Sequence, residues 1–171
     1  MPIVGTDIVY RLSGGAANTA PASSLGGARS TAGGGIITSG VANNLWDDVS
    51  GDESALGDTE YRGIYVLNNH GTLVLQNTKL WIDSLTSSAN TEFDIALAGE
   101  GLNGTMETVA NESTAPVGET FTRPTTKAGG LTMGNIPAGQ HYGFWIKRTV
   151  DVGAAAASDS GSVRVEGDTA P

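Results

Sequence analysis

The side chains most able to do chemistry are six carboxylates that fall within fourteen residues. They are Asp47, Asp48, Asp52, Glu53, Asp58 and Glu60. Carboxylates at this density can gather a hard cation such as Ca²⁺, which takes about six to eight oxygen ligands. The spacing does not fit the EF-hand pattern, because Gly51 comes before the position of the third ligand. We therefore expect a solvated acidic loop, with no metal site and no cofactor.

The two histidines are the candidate general bases. His70 lies in the turn-forming run 68–71 without a nucleophile at a recognisable spacing, and His141 opens an aromatic strand. The chain has neither a G-x-S-x-G motif nor a phosphate-binding glycine motif, and two distant histidines do not make a zinc site. Glu92 and Asp94 have the spacing of a carboxylate pair on one strand face, but a solvated sheet face is the better interpretation. The sequence predicts no catalytic residue and no enzyme.

The charge and the cysteine content of the chain restrict its possible binding partners and its sources of stability. Nine basic against eighteen acidic residues give a net charge of −9, and the basic residues are scattered, so we expect no nucleic-acid partner. The chain has no cysteine, which leaves packing or assembly to provide stability. No stretch has membrane-spanning length and the first residues lack a signal-peptide pattern. We expect synthesis in a cytoplasm and no membrane partner.

The elements that must position these groups are strands. In residues 135–150 a turn is followed by an alternation that places Tyr142, Phe144 and Ile146 on one face, which predicts a central strand. Similar patterns predict strands at residues 7–12, 61–67, 72–76, 79–82, 91–98 and 162–166, with short strands at 106–109 and near 120–122. Residues 131–133 lead into the central strand. The turn at residues 68–71 predicts a hairpin. About eight or nine short strands without a convincing helix predict an all-β single domain, an antiparallel β-sandwich or jelly roll.

Residues 13–44 differ in composition from the rest of the chain. Residues 13–40 are mostly Gly, Ala, Ser, Asn and Thr, and such a segment cannot bury enough apolar surface by itself to offset its ordering entropy. Two interpretations stay open: a long loop, or an arm extended across a neighbouring subunit. The chain then divides into an N-terminal strand (1–12), this arm or loop (13–44) and the sandwich core (45–171). With an arm, a deletion of residues 13–40 would leave a folded domain.

Five apolar residues form the predicted interaction surface, namely Leu25, Ile36, Ile37, Leu45 and Trp46. The first three are the larger apolar residues of the Gly-rich segment. Trp46 stands beside two acidic residues, where it either closes the end of the core or anchors the loop on a partner. The surface is predicted to meet a partner protein or a neighbouring subunit.

Several blocks of the sequence carry a resemblance to a known class. They are DIVYRLSGGAAN (7–18), NLWDDVSG (44–51), DTEYR (58–62), AGQHY (138–142) and WIKRT (145–149), with Asn77 ahead of Trp81 and Ile82. Together they resemble small virion structural proteins of tailed bacteriophages. The resemblance implies a β-sandwich in the virion capsid, of the decoration or cement type. Its partners would be the major capsid protein and copies of itself, with a trimer as one arrangement.

Two other classes remain open. A neck, tail or baseplate component would share the fold and the composition. A carbohydrate-binding or adhesion module would need an exposed aromatic platform, for which the three tryptophans are the candidates. Strand alternation predicts that Trp81 and Trp145 lie in or against the core, which leaves Trp46.

Overall fold

The computed structural model describes residues 1–155 and 159–169. Within these residues the chain forms nine strands and one α-helix. The strands are β1 Ile8–Leu12, β2 Gly26–Gly27, β3 Asp58–Asn68, β4 Leu75–Ser84, β5 Thr91–Leu102, β6 Met106–Thr108, β7 Leu131–Ile136, β8 His141–Val150 and β9 Ser162–Asp168. The helix is α1 Gly51–Leu56, and short 3₁₀ turns lie at Gly5–Asp7, Pro21–Ser23 and Gly33–Gly35.

The strands form two main sheets that pack face to face. One has four strands in the order β1-β3-β8-β5, and the other has three in the order β7-β4-β9. All their pairings are antiparallel. Strand β8 lies inside the four-stranded sheet between β3 and β5. The predictions of an all-β, sandwich-like antiparallel domain and of a central strand at β8 are confirmed.

The turn after β3 does not form the predicted hairpin. Strand β3 belongs to the four-stranded sheet and β4 to the three-stranded sheet, so residues 69–74 carry the chain from one sheet to the other. The buried amide of Asn68 fixes this crossing by donating to the carbonyl oxygens of Leu73 and Ile136, each at 2.8 Å. The hairpin prediction is wrong because turn residues indicate a chain reversal and not the partner of the returning strand.

Two predictions near the C-terminus change with the structure. The loop predicted at residues 153–161 includes residues 156–158, which lie outside the described residues. The tail predicted at residues 167–171 begins later, because Gly167 and Asp168 extend β9. Residues 170–171 are also outside the described part.

Both faces of the four-stranded sheet are buried. One face packs on the three-stranded sheet in the main core, where Ile95 and Phe144 meet Leu80 and Ile136. The other face carries a second cluster that includes Tyr65, Trp145 and Met106. Strand alternation holds along β8, but both sets of side chains face an apolar layer. The sheet therefore needs a cover on the side opposite the sandwich partner.

Part of that cover is the Gly-rich segment. The backbone amide of Gly63 in β3 donates to the carbonyl of Ser24 at 2.7 Å, and the Ser24 hydroxyl donates to the carbonyl of Gly63 at 2.6 Å. The hydroxyl of Tyr65 donates to the carbonyl of Gly27 at 2.7 Å. Gly63 permits this approach, because a Cβ there would lie 3.2 Å from the amide nitrogen of Gly26.

The segment is thus a long loop packed on its own domain, which corrects the extended-arm alternative. The side chains of the segment bury little apolar surface, and the segment is held instead by backbone hydrogen bonds and close glycine contacts. A deletion of residues 13–40 would uncover Tyr65 and Trp145, so we expect it to destabilise the domain and not to leave it folded.

Candidate functional site

A groove of about 660 Å³ opens between the two sheets and reaches into the main core. Residues 37–49 form one wall, and the floor includes Ile64, Phe93 and Ile146 of the four-stranded sheet. Val163 of β9 lines it from the three-stranded sheet. At this edge of the sandwich a loop, and not a strand, lies over the gap between the two sheets. We call the opening the sheet groove.

The structure brings three of the five predicted interaction residues together. Ile37, Leu45 and Trp46 line the sheet groove and pack, half-buried, against the main core. Ile36 is 43 % exposed and pairs with Arg11 of β1 in an isolated bridge, so its side chain leaves the sheet on the face of Arg11 and not at the groove. This part of the loop is fixed to β1, because the amide of Ile37 donates to the carbonyl of Tyr10 at 3.0 Å.

Leu25 lies apart from this group. It packs against the second cluster, with Tyr65 and Trp145. Leu25 therefore belongs to the cover of the sheet, and the structure does not place it on the interaction surface. Val41 was not predicted, although it lines the groove with 54 % of its surface exposed. We define the apolar face as Ile37, Val41, Leu45 and Trp46.

The acidic stretch is folded around one buried arginine. The guanidinium of Arg148 in β8 lies 2.9 Å from Glu53 and 3.3 Å from Asp47, and its Nε donates to Glu60 at 2.6 Å. The carboxylate oxygens of Asp47, Glu53 and Glu60 all lie within 4.8 Å of one another, a spacing that could hold a metal ion. Arg148 supplies the positive charge to all three. Asp47 and Glu53 therefore hold the loop to the sheet, in which Glu60 and Arg148 lie on the neighbouring strands β3 and β8.

The prediction of a solvated acidic loop is only partly right. Asp48 and Asp52 are exposed, whereas Glu60 is 3 % exposed. Burial raises the pKa of Glu60 to about 7, while Arg148 and Arg62 act in the opposite direction. Glu60 is thus a group whose charge depends on the two arginines beside it.

The short helix α1 was not predicted, and a sequence signal for it exists. Ser50 and Glu53 form a capping box: the amide of Glu53 donates to the Ser50 hydroxyl at 3.2 Å, and the amide of Ser50 donates to the Glu53 carboxylate at 2.6 Å. The pattern Ser-x-x-Glu is the sequence signature of such a helix start. Glu53 therefore both begins the helix and binds Arg148.

Trp46 is the residue that joins the groove to this ionic cluster. The guanidinium carbons of Arg62 and Arg148 lie 4.6 and 5.1 Å from the centroid of its ring. Cations at this distance are attracted to the ring. The two guanidinium groups therefore occupy at least one face of the Trp46 ring. Trp81 and Trp145 are 6 % and 0 % exposed, which confirms their predicted core positions. The tryptophans do not form an open sugar platform.

Both histidines have structural contacts. Nδ1 of His70 accepts the backbone amides of Thr72 and Leu73 at 3.1 and 3.0 Å, which stabilises the crossing turn. His141 packs edge-on against Tyr65 with ring centroids 5.0 Å apart. Burial lowers the pKa of His141, and Arg29 lowers it further. These contacts agree with the interpretation of His70 as a turn residue and of His141 as a structural histidine.

Glu92 and Asp94 belong to an ion network on the surface of β5. Arg123 contacts Glu92 at 2.5 Å and Asp94 at 2.8 Å, and Lys147 contacts Asp94 at 2.7 Å. Burial by itself would raise the pKa of Asp94, but the hydrogen bonds from Arg123 and Lys147 outweigh it and lower the pKa. The two carboxylates therefore act as partners of basic side chains.

An Asp94→Asn variant should be less stable than the wild type by about 1 kcal/mol at pH 7. Because the folded pKa of Asp94 is lowered, its contribution is present above the unfolded carboxyl pKa and is lost as the pH falls through the folded value. The difference in unfolding free energy between the variant and the wild type should shrink below about pH 4. Urea denaturation at pH 7 and pH 3 measures this difference. A difference of unchanged size at pH 3 would contradict the ionic role of Asp94.

No protein-family model, curated protein or solved structure matches the chain. In the part of the chain that the structure describes, no helix is both long enough and apolar enough to cross a membrane.

Proposed function

We propose that this chain is a non-enzymatic structural protein of a bacteriophage virion that decorates the outside of the capsid. The observation that supports a binding role is the apolar face: Val41 is 54 % exposed at an open groove whose floor is the main core. Apolar surface in this setting gains free energy when a partner covers it. The resemblance to tailed-phage virion proteins suggests the partners, namely the major capsid protein and further copies of this chain.

The proposed mechanism is mechanical. The sandwich provides a rigid body, and the Arg148 cluster holds the wall of the sheet groove against β8. A capsid segment that enters the groove would bury apolar surface across a joint between capsomers. Binding that favours the assembled shell stabilises it by mass action. A standard interface of about 800 Å² per partner would use about a tenth of the 8026 Å² surface of the chain.

The groove mouth also carries charge that a partner can match. Asp47, Asp48, Glu92 and Asp159 all line it, and the whole chain is acidic. We therefore expect the capsid segment to be apolar with flanking Lys or Arg residues, since opposite charges steer association and fix orientation. Raising the salt concentration should slow binding without abolishing it.

A Val41→Ser variant should bind capsids about tenfold more weakly, because its apolar side chain no longer contributes its burial. Its unfolding free energy should stay close to that of the wild type, since the Val41 side chain is 54 % exposed in the free protein. Co-sedimentation with capsids that lack the protein measures the affinity.

The matched control is Val117→Ser. Val117 is 82 % exposed, and its amide contacts Glu107 of the layer that covers the opposite face of the sheet. This variant should bind as the wild type does. Unchanged binding of the Val41→Ser variant, or an equal loss in the control, would refute the role of the apolar face.

A further inference from the structure

Arg11 and Arg29 are exceptions to the charge pairing of this acidic chain. Most basic residues have a carboxylate partner, namely Arg62, Arg123, Lys127, Lys147, Arg148 and Arg164. Lys79 donates to Thr132 and to the carbonyl of Gly130. Within residues 1–155 and 159–169, Arg11 and Arg29 meet no carboxylate, and the Nε of each is buried without a hydrogen-bond partner. Eighteen acidic residues are present, yet none pairs with these two there.

The fold brings these two side chains to one place. The Gly-rich loop is fixed at Gly27 by the hydroxyl of Tyr65 at 2.7 Å. It is fixed again at Ala32, whose carbonyl accepts Nη1 of Arg11 at 2.9 Å. Arg29 lies between these two points, next to Ser30, whose amide donates to the carbonyl of Leu12 in β1 at 2.8 Å. Arg29 is thus held beside β1, the strand that carries Arg11.

Aromatic groups border the same place. Arg11 of β1 and Tyr65 of β3 are register partners, so their side chains leave the sheet on one face. His141 of β8 packs against the Tyr65 ring on that face. Burial lowers the pKa of Arg29, and the nearby charge of Arg11 lowers it further. Two like charges with desolvated donors are costly, and no described carboxylate relieves this cost.

We propose that Arg11 and Arg29 form a binding site for one carboxylate, supplied by an acidic side chain of another protein chain. A guanidinium matches a carboxylate with two parallel hydrogen bonds, and the two fully buried arginines of the described residues, Arg62 and Arg148, both bind carboxylates. The net charge of −9 disfavours an extended polyanion such as a nucleic-acid backbone, whereas a single carboxylate responds mainly to the local charge of the two arginines. The site does not depend on the proposed function, since it requires only an acidic partner.

The test uses the full chain, isotopically labelled, and follows the Nε–Hε resonances of its arginines by NMR. Succinate serves as the carboxylate probe and sulfate as the comparison, both at constant ionic strength. We expect the resonances of Arg11 and Arg29 to shift with saturation by succinate, and more weakly by sulfate. Arg164, which is exposed and paired with Asp83, should show no saturable shift.

An Arg29→Gln variant should bind succinate about tenfold more weakly, the loss typical for a charged hydrogen bond. Arg164→Gln is the matched control and should keep the wild-type affinity. If Arg29→Gln does not fold, Arg29→Lys keeps the charge but lacks the planar fork, and it too should bind more weakly. Uniform shifts of all arginines, tighter binding of sulfate, or unchanged affinity of the folded Arg29 variant would overturn the proposal.

Discussion

A Gly26→Ala variant is expected to lose about 3 kcal/mol of unfolding free energy, although it adds one methyl group to a Gly-rich loop. Gly26 has a φ of +87°, and a Cβ there would lie 1.7 Å from the carbonyl oxygen of Glu107 and 3.1 Å from the Trp145 ring. The first contact is with the backbone of β6, which is paired to β2 and cannot rotate away. The loop must therefore separate from the sheet or the sheet must shift.

Thermal unfolding measures this loss as a fall in Tm of about 6 to 12 °C for a domain of this size. The matched control is Gly33→Ala in the same loop. A Cβ at Gly33 would meet nothing within 4 Å, and its backbone is not left-handed, so its Tm should stay close to that of the wild type. Equal stability of the two variants would mean that residues 13–40 are not packed on the domain.

An Arg148→Met variant is expected to lose about 3 kcal/mol or more, the usual cost of removing one partner of a buried ion pair. Glu60 would keep only Arg62, which is 3.6 Å away and also pairs with Glu112. Glu53 and Asp47 would lose their contact with β8. The wall of the sheet groove should loosen as well, so capsid binding should fall together with stability.

Urea denaturation measures the stability of this variant, and two further results identify the cause. The double variant Arg148→Met with Glu60→Gln should recover part of the loss, because no unpaired buried charge remains. Arg164→Met, at an exposed pair, should cost less than about 1 kcal/mol.

The effect of Arg148→Met should also depend on pH. Without Arg148 the raised pKa of Glu60 should rise further. A carboxyl with a raised folded pKa loses stability as the pH rises toward that value, so the gap to the wild type should widen above about pH 7. A pH-independent gap, with no recovery in the double variant, would show that packing and not charge causes the loss.

Much of the fold could be predicted from local patterns. Alternation along residues 135–150 located β8 and both faces of its side chains, since a strand repeats every two residues. The crossing between β3 and β4 could not be read in this way, because the choice of sheet depends on contacts such as that of Asn68 with Ile136, 68 residues away. The second buried face was also missed, since glycines and not large apolar residues form part of its cover.

The site was predicted in part. Ile37, Leu45 and Trp46 were recognised as large apolar residues in polar surroundings, and the structure collects them at one groove. Arg148, which organises the acidic stretch, was not recognised, because it lies 88 residues from Glu60 and 101 from Asp47 in the sequence. The local sequence of such a stretch shows its carboxylates but not the distant side chain that balances their charge.

The most direct test of the proposed function is immunogold labelling of intact virions of the proposed source phage with antibody against the protein. Decoration of the capsid predicts gold spread over the whole head. Particles from a phage that lacks the gene provide the background. Gold confined to the neck or tail, or no gold above that background, would contradict the account.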